Sequence, residues 1–268
     1  MDLPKIPEWP LSLKLQLEKK GLGVYLSDHP LNYYGTYIRA FASHSISSLL
    51  SLSPATRVLV GGICVEVRVS SRYPGRKVRY TATFDDRTGV HDIIIFAEPD
   101  EFLRFIKEDT IGFVSGRISI YEDVKQLVLD HFVSLARSPF AFGRYLVIHL
   151  SPDHMSKLGV LNSLLRRFSM TGTSGVAFDL DGVFLRSKTL RIALSETLVT
   201  YIDRLLGPGN VKIVGRRGIA VDPWIKSLDD FPVKQTTCRA AMVAMLPRLI
   251  SNSKRDEADQ LAGQPKLF

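Results

Sequence analysis

Residues 80–96 read YTATFDDRTGVHDIIIF. Tyr80, Ala82 and Phe84 alternate with Thr81 and Thr83. A period of two with aromatic and β-branched residues marks a half-buried strand. Asp85-Asp86-Arg87-Thr88-Gly89 then predicts a turn, with Gly89 free to take a positive φ. His91 to Phe96 is the next strand. These seventeen residues set the local texture from which the neighbouring segments are read.

Upstream, Val78 continues the apolar row while Lys77 and Arg79 continue the polar one. Before it, Ile63, Val65, Val67 and Val69 alternate with Cys64, Glu66 and Arg68, which predicts another strand. Gly61-Gly62 lies inside that strand and predicts a bend. Downstream, Pro99 to Lys107 reads as a short helix with Phe102, Leu103 and Ile106 on its apolar side. Ile111–Tyr121 and Gln126–Val133 complete five strands. Five short strands with a helix between the third and fourth is the order of an OB-fold barrel, a fold that binds oligonucleotides.

Beyond the barrel the texture changes. Residues 1–56 read as helix and loop: Leu11, Leu15, Leu22 and Leu26 recur at near-helical spacing, and Pro30 ends the run. Residues 144–214 predict a strand at Tyr145–Leu150 and a helix from Asp153 to Phe168. Strands follow at Val176–Val183 and Leu190–Leu194. Ser195 is placed to cap a helix through Leu206, before a last strand at Val211–Val214. That βαββαβ order matches a ferredoxin-like pattern. Arg216-Arg217-Gly218 opens a linker, Cys238–Ile250 has a helical apolar face, and Ser251–Gly263 is polar and expected to be disordered. The expected fold is mixed α+β: a helical segment at 1–56, an OB barrel at 57–138, a ferredoxin-like domain at 144–214, and linker, helix and tail at 215–268.

The chain carries 35 Lys+Arg against 27 Asp+Glu, a net charge of +8 that favours polyanionic partners. Arg68, Arg72, Arg76, Lys77 and Arg79 fall together with no acid among them. No apolar run is long enough to cross a bilayer, and Met1–Pro10 does not resemble a signal peptide, so a cytoplasmic location is expected. Cys64 and Cys238 are far apart and without metal-binding spacing, so neither a disulfide nor a zinc site is expected.

Several stretches resemble the alpha subunit of bacterial DNA polymerase III. Leu15–Leu31, LQLEKKGLGVYLSDHPL, is similar to that family's EKE-LG-YL-GHPL signature. Tyr80–Phe96 resembles its OB segment with a DD-(S/T)-G turn, and Asp109–Gly116, DTIGFVSG, resembles the start of that barrel's fourth strand. The βαββαβ pattern resembles the family's C-terminal domain, which binds the clamp-loader tau subunit. The resemblance spans roughly residues 5–214 and implies a C-terminal piece of a DNA-directed DNA polymerase, a nucleotidyltransferase. The family's palm, fingers and PHP domains have no counterpart here, which implies a separately encoded or truncated piece. The resemblance therefore implies single-stranded DNA, a sliding clamp, the tau subunit and a separate polymerase catalytic chain as partners.

The residues point to contact rather than catalysis. Arg72-Tyr73-Pro74-Gly75-Arg76 falls between strands one and two, in a loop that OB-folds use to grip a strand. Arg and Lys neutralise phosphates, and Tyr73 offers a stacking face. Arg68, Lys77 and Arg79 extend the basic row, and Tyr121 and Lys125 flank the loop between strands four and five. The alternative is a solvated hairpin tip. Gln264-Pro265-Lys266-Leu267-Phe268 resembles the QxxLF clamp-binding peptide, with Gln264, Leu267 and Phe268 as its anchors; the alternative is a terminus folded onto its own domain. Asp85 and Asp86 sit at a turn, and Asp179 and Asp181 alternate along a strand with no histidine close in sequence. No nucleotide-binding glycine motif or HExxH occurs, so no catalytic residue, metal or cofactor is expected. Three roles remain open: DNA-binding support of replication, a clamp or clamp-loader adaptor without DNA binding, and the complementing half of a split polymerase.

Overall fold

The computed structural model describes residues 9–72, 78–97, 106–169 and 172–230. The chain divides into two compact units, one of residues 34–225 and one of residues 1–33 with 226–268. Expectations for Tyr73, Arg76, Lys77, most of the Pro99–Lys107 helix, the Cys238–Ile250 helix, and Gln264, Leu267 and Phe268 lie outside the described residues.

The larger unit begins within helix α2 (Leu31–Phe41) and contains the barrel. Its strands are β1 (Arg57–Arg72), β2 (Val78–Asp85), β3 (Val90–Ala97), β4 (Ile111–Tyr121) and β5 (Val124–Ser134). They close in the order β1-β2-β3-β5-β4, with only β3 and β5 parallel. This is the five-stranded closed barrel read from the sequence. Val60, Cys64, Tyr80, Ala82, Phe84, Ile93, Ile95, Val114, Ile118 and Leu127 fill it, together with Ile106. The barrel interior is therefore a packed core, and any ligand must use its outside or its ends.

Strand β1 departs from simple alternation. Cys64 pairs with Phe84 and Glu66 with Thr83, leaving Val65 as a bulge. The extra residue shifts the phase by one, so the adjacent Ile63 and Cys64 are both buried while Val65 is exposed. Of the expected inward row Ile63-Val65-Val67-Val69, Ile63 is buried and Val67 packs against the core, while Val65 and Val69 are exposed. The bend sits beside Gly62, where a Cβ would lie 2.6 Å from the Asp85 carbonyl oxygen, so no larger residue fits. In the turn after β2, Arg87 takes the left-handed conformation (φ 70°), not Gly89. Asp86 makes this tolerable: its Oδ1 accepts from the Thr88 N–H at 2.8 Å and the Gly89 N–H at 3.2 Å, and its Oδ2 from the Ile46 N–H at 2.8 Å.

After helix α3 (Ser138–Phe142) comes a second sheet of β6 (Tyr145–His149), β7 (Ser174–Leu180), β8 (Val183–Ile192), β9 (Val211–Val214) and β10 (Ala220–Val221). Helices α4 (Leu158–Arg167) and α5 (Glu196–Leu206) interrupt it. Ser195 caps α5, its Oγ accepting from the Leu198 N–H at 3.2 Å. The expected helix from Asp153 is instead a 3-10 segment, Pro152–Lys157, followed by α4.

The βαββαβ order is present, but the ferredoxin-like arrangement is not. The sheet runs β10-β9-β6-β7-β8, with β6 directly parallel to β7. A ferredoxin-like split would slot a strand between these two. The composition of β8 explains the difference. Arg186, Lys188 and Arg191 along it, with nearly every position exposed, suit an edge and not the middle of a sheet. Asp181 and Gly182, both at positive φ, turn the chain sharply so that β8 pairs back on β7. The linker expected from Gly215 is also corrected. Gly215–Gly218 is a turn joining β9 to β10, which adds a fifth strand.

Barrel and second sheet meet through an aromatic cluster. Phe113 of β4 lies 6.0 Å from Phe41 and 5.5 Å from Phe142 of α3, centroid to centroid. Phe113 is fully buried, so the contact combines area burial with edge-on ring packing.

In the smaller unit, α1 (Leu11–Leu22) ends at Gly23, whose φ of 76° closes the helix through an N–H to Lys19 carbonyl bond. The helix thus stops short of the expected Leu26. Ser12 donates from its N–H and its hydroxyl to Asp229, both at 2.9 Å, which satisfies donors at the open end of the helix. Glu18 accepts from the Leu26 and Ser27 N–H groups, both at 2.8 Å. Asp28 accepts from the Tyr33 hydroxyl at 2.8 Å. Burial, then that bond, pushes the Tyr33 phenol up to about 12. The stretch Leu15–Leu31 thus braces a turn between two helices.

Candidate nucleic-acid interface

The outward residues of β1, β2, β3 and β5 share one face. Cross-strand register sets Arg68 opposite Thr81, Arg79 opposite Phe96, and Thr81 opposite Ile94. Directly opposed side chains on one face lie within contact reach. Tyr121, the last residue of β4, comes over the same face: the Arg79 guanidinium sits 5.8 Å above its ring. Arg79 also donates to Gln126 Oε1 at 3.4 Å, a long bond, and its Nε is buried without an acceptor among the described residues. The side chain is held by stacking more than by hydrogen bonds, which leaves its guanidinium short of acceptors. Phe96 is 48% exposed and Tyr121 51%. Two aromatic faces and one guanidinium plane are therefore presented together, the chemistry that stacks bases and meets phosphates.

Arg68 is on this face but engaged. Its Nε lies 3.3 Å from Glu66 and its Nη2 3.5 Å from Asp92, all three side chains about half exposed. Pairs this exposed are weak and exchange readily with water or another anion. Asp92 also accepts from Thr83 at 2.6 Å, which keeps it in place. His91, nearby, is pushed below its ordinary pKa by burial, against an opposing pull from Asp92. It is neutral at pH 7 and adds polarity, not charge, to this region.

The sequence-predicted residues are thus only partly gathered. Arg68, Arg79 and Tyr121 come together. Arg72 ends β1 at the rim. Lys125 lies beside the face, but its Nζ donates to the carbonyls of Leu50 and Leu52 at 2.6 and 2.8 Å, anchoring the segment before β1. Phe96 and Gln126 were missed. Alternation with the inward Ile95 already put Phe96 on the outward side of β3, where an aromatic residue was the available signal.

The carboxylates considered for catalysis are committed elsewhere. Asp85 accepts from the Arg87 N–H at 2.6 Å, and Asp86 braces the same turn. Asp179 has a histidine near it after all: His149, on the adjoining strand β6, places Nδ1 3.4 Å from Asp179 and Nε2 3.8 Å from Asp181. Asp179 also accepts from the Gly182 N–H at 2.8 Å, so it ties the β7–β8 turn. Among the described residues no group of three ligating side chains could hold a metal ion. Among them too, no helix is long and apolar enough to cross a membrane.

No family model matches the chain. It is similar to DNA polymerase III subunit alpha of Vibrio cholerae, 28% identical over 224 residues, covering 78% of this chain and 19% of that protein. Against DNA polymerase III subunit alpha of Pasteurella multocida it is 31% identical over 171 residues, covering 61% of this chain and 14% of that one. The sequence resemblance to this subunit therefore extends over most of the chain, while the chain spans less than a fifth of these relatives' length. Among solved structures, the second OB-fold domain of replication protein A from Methanococcus maripaludis is 20% identical, covering 31% of this chain and 87% of that one at a TM-score of 0.26. That likeness is too slight to carry weight, and the barrel stands on its own strand order.

Proposed function

We propose that this chain is a non-catalytic module of DNA replication, equivalent to a C-terminal part of a DNA polymerase III alpha subunit, whose barrel holds single-stranded DNA without reading its sequence. The observation that carries this reading is the stacked face: Arg79 over Tyr121, with Phe96 exposed opposite Arg79. The face lies outside a filled barrel, so a strand would lie across it, with bases on the rings and phosphates toward Arg79 and Arg68. Arg72, Tyr73, Arg76 and Lys77 of the adjoining loop would extend the grip. The similarity to DNA polymerase III alpha subunits supports the setting. The test is fluorescence anisotropy of a labelled single strand of about 20 nucleotides across a salt series. Binding that weakens with salt, and weakens further in Phe96→Ala, is expected. No binding at low salt overturns the reading.

A groove in the second sheet favours an adaptor role as well. Leu150, Met155, Leu158, Phe178, Leu180 and Leu185 line an open cavity of about 710 Å³ beside the β8 edge. Exposed apolar surface of this kind fits protein docking, with the clamp-loader tau subunit as the proposed partner. Gln264, Leu267 and Phe268 are the proposed clamp anchors. Retention of the full chain by immobilised clamp, lost on removing the last five residues, is the expected result. A separate polymerase chain as partner would instead appear as synthesis restored on mixing the two.

A further inference from the structure

Where the barrel meets the second sheet, a cavity of about 370 Å³ opens within the larger unit. Three arginines line it from three places in the chain: Arg57 at the start of β1, Arg144 just before β6, and Arg216 in the β9–β10 turn. Ser115 and Thr173 add hydroxyls, and no Asp or Glu lines it. None of the three guanidinium groups makes a hydrogen bond or ion pair with a described residue. Arg68 and Arg117 differ: Arg68 has Glu66 and Asp92, and Arg117 has Asp130 at 3.0 Å.

All three side chains are exposed, and the backbone fixes the points from which Arg144 and Arg216 leave the chain. Gly215, next to Arg216, is buried so tightly that a Cβ would lie 2.2 Å from the Ala40 carbonyl oxygen. Arg217, on the other side of Arg216, donates to the Ser43 carbonyl at 3.3 Å. The Arg144 N–H donates to the Val214 carbonyl, and its own carbonyl accepts from Gly175, both at 2.8 Å. Cations that line one cavity without a counter-charge repel one another, weakly where they are exposed, and a bound anion removes that cost. Guanidinium forks with hydroxyl donors match the oxygens of a phosphate.

We propose that this pocket is a phosphate-binding site, separate from the outer face of the barrel. Its ligand is the phosphate of a nucleic-acid backbone or of a free phosphorylated small molecule. The proposal does not depend on strand binding at the barrel face.

The test compares the full chain with Arg57→Gln/Arg144→Gln/Arg216→Gln in two titrations. One uses inorganic pyrophosphate followed by calorimetry, the other a labelled single strand across a salt series. If the backbone is the source, the triple variant loses about two units of salt slope, at about 0.7 per phosphate contact on single strands. If a free phosphate compound is the source, pyrophosphate binds the parent chain and at least tenfold of that affinity is lost, while the strand's salt slope is unchanged. A triple variant equal to the parent in both titrations overturns the proposal. If the triple variant does not melt as a folded protein, Arg144→Gln and Arg216→Gln singly serve the same comparison, each expected to remove about one contact's share. The pyrophosphate arm does not involve the barrel face, so its failure is distinguishable from failure of strand binding there.

Discussion

The barrel face and the junction pocket both gather arginines, but they hold them differently. On the face, Arg68 is shared between Glu66 and Asp92, and Arg79 lies over Tyr121. In the pocket, Arg57, Arg144 and Arg216 meet no acid. The face offers exposed rings with charge partly spent; the pocket offers three arginines with no acid beside them. A basic residue's identity is therefore a poor guide to what it does. What matters is whether the fold brings a carboxylate or a ring to it.

The largest effect tests whether the two regions depend on one another. Phe113 stands between barrel and second sheet, and Phe113→Ala should cost about 3–5 kcal/mol in denaturant unfolding, as for other buried Phe truncations. It should weaken phosphate binding in the pocket more than stacking on the face, because the pocket needs both parts of the unit in register. Equal losses at both would break the distinction. Next in size, Phe96→Ala and Tyr121→Ala should each cost about 1–3 kcal/mol of single-strand affinity, measured by anisotropy, if a base stacks on each ring. The same variants should leave pyrophosphate binding unchanged.

A smaller change sharpens the comparison from the other side. Glu66→Gln with Asp92→Asn releases Arg68 and makes the face more like the pocket. The salt slope for a single strand should rise by up to about 0.7, with a modest gain in affinity. An unchanged slope would mean that Arg68 exchanges its carboxylates for a phosphate at no cost.

The barrel was legible because its signal is local. The alternation Val78-Tyr80-Ala82-Phe84 survives folding, and these residues are all buried. The phase of β1 was not legible, since a bulge at Val65 depends on how β1 bends around β2. The βαββαβ order was legible but the strand order was not, because choosing which edge β8 joins is a tertiary decision. At the site, Arg68, Arg79 and Tyr121 followed from strand parity. The engagement of Lys125 by Leu50 and Leu52, 73 and more residues away, had no sequence signal. The pocket was invisible for the same reason: its three arginines are separated by long stretches of chain, and Arg216 was read as part of a linker.

The smallest effect concerns a segment that belongs to neither region, the turn braced by Glu18. Burial alone would raise this carboxyl's pKa. The hydrogen bonds from Ser27 and Leu26, with Lys14 near, outweigh that and hold it below its ordinary 4.5. A carboxyl depressed in the folded state adds stability that is present above its unfolded pKa. That stability is lost as pH falls from about 4.5 through the lower, folded value. Glu18→Gln should therefore flatten the fall in melting temperature over that acid window and change it little as a function of pH near neutrality. It should leave both the single-strand and the pyrophosphate affinities at pH 7 as they were. A variant that loses either affinity would tie the Leu15–Leu31 stretch to binding, and the contrast between face and pocket would have to be redrawn with a third participant.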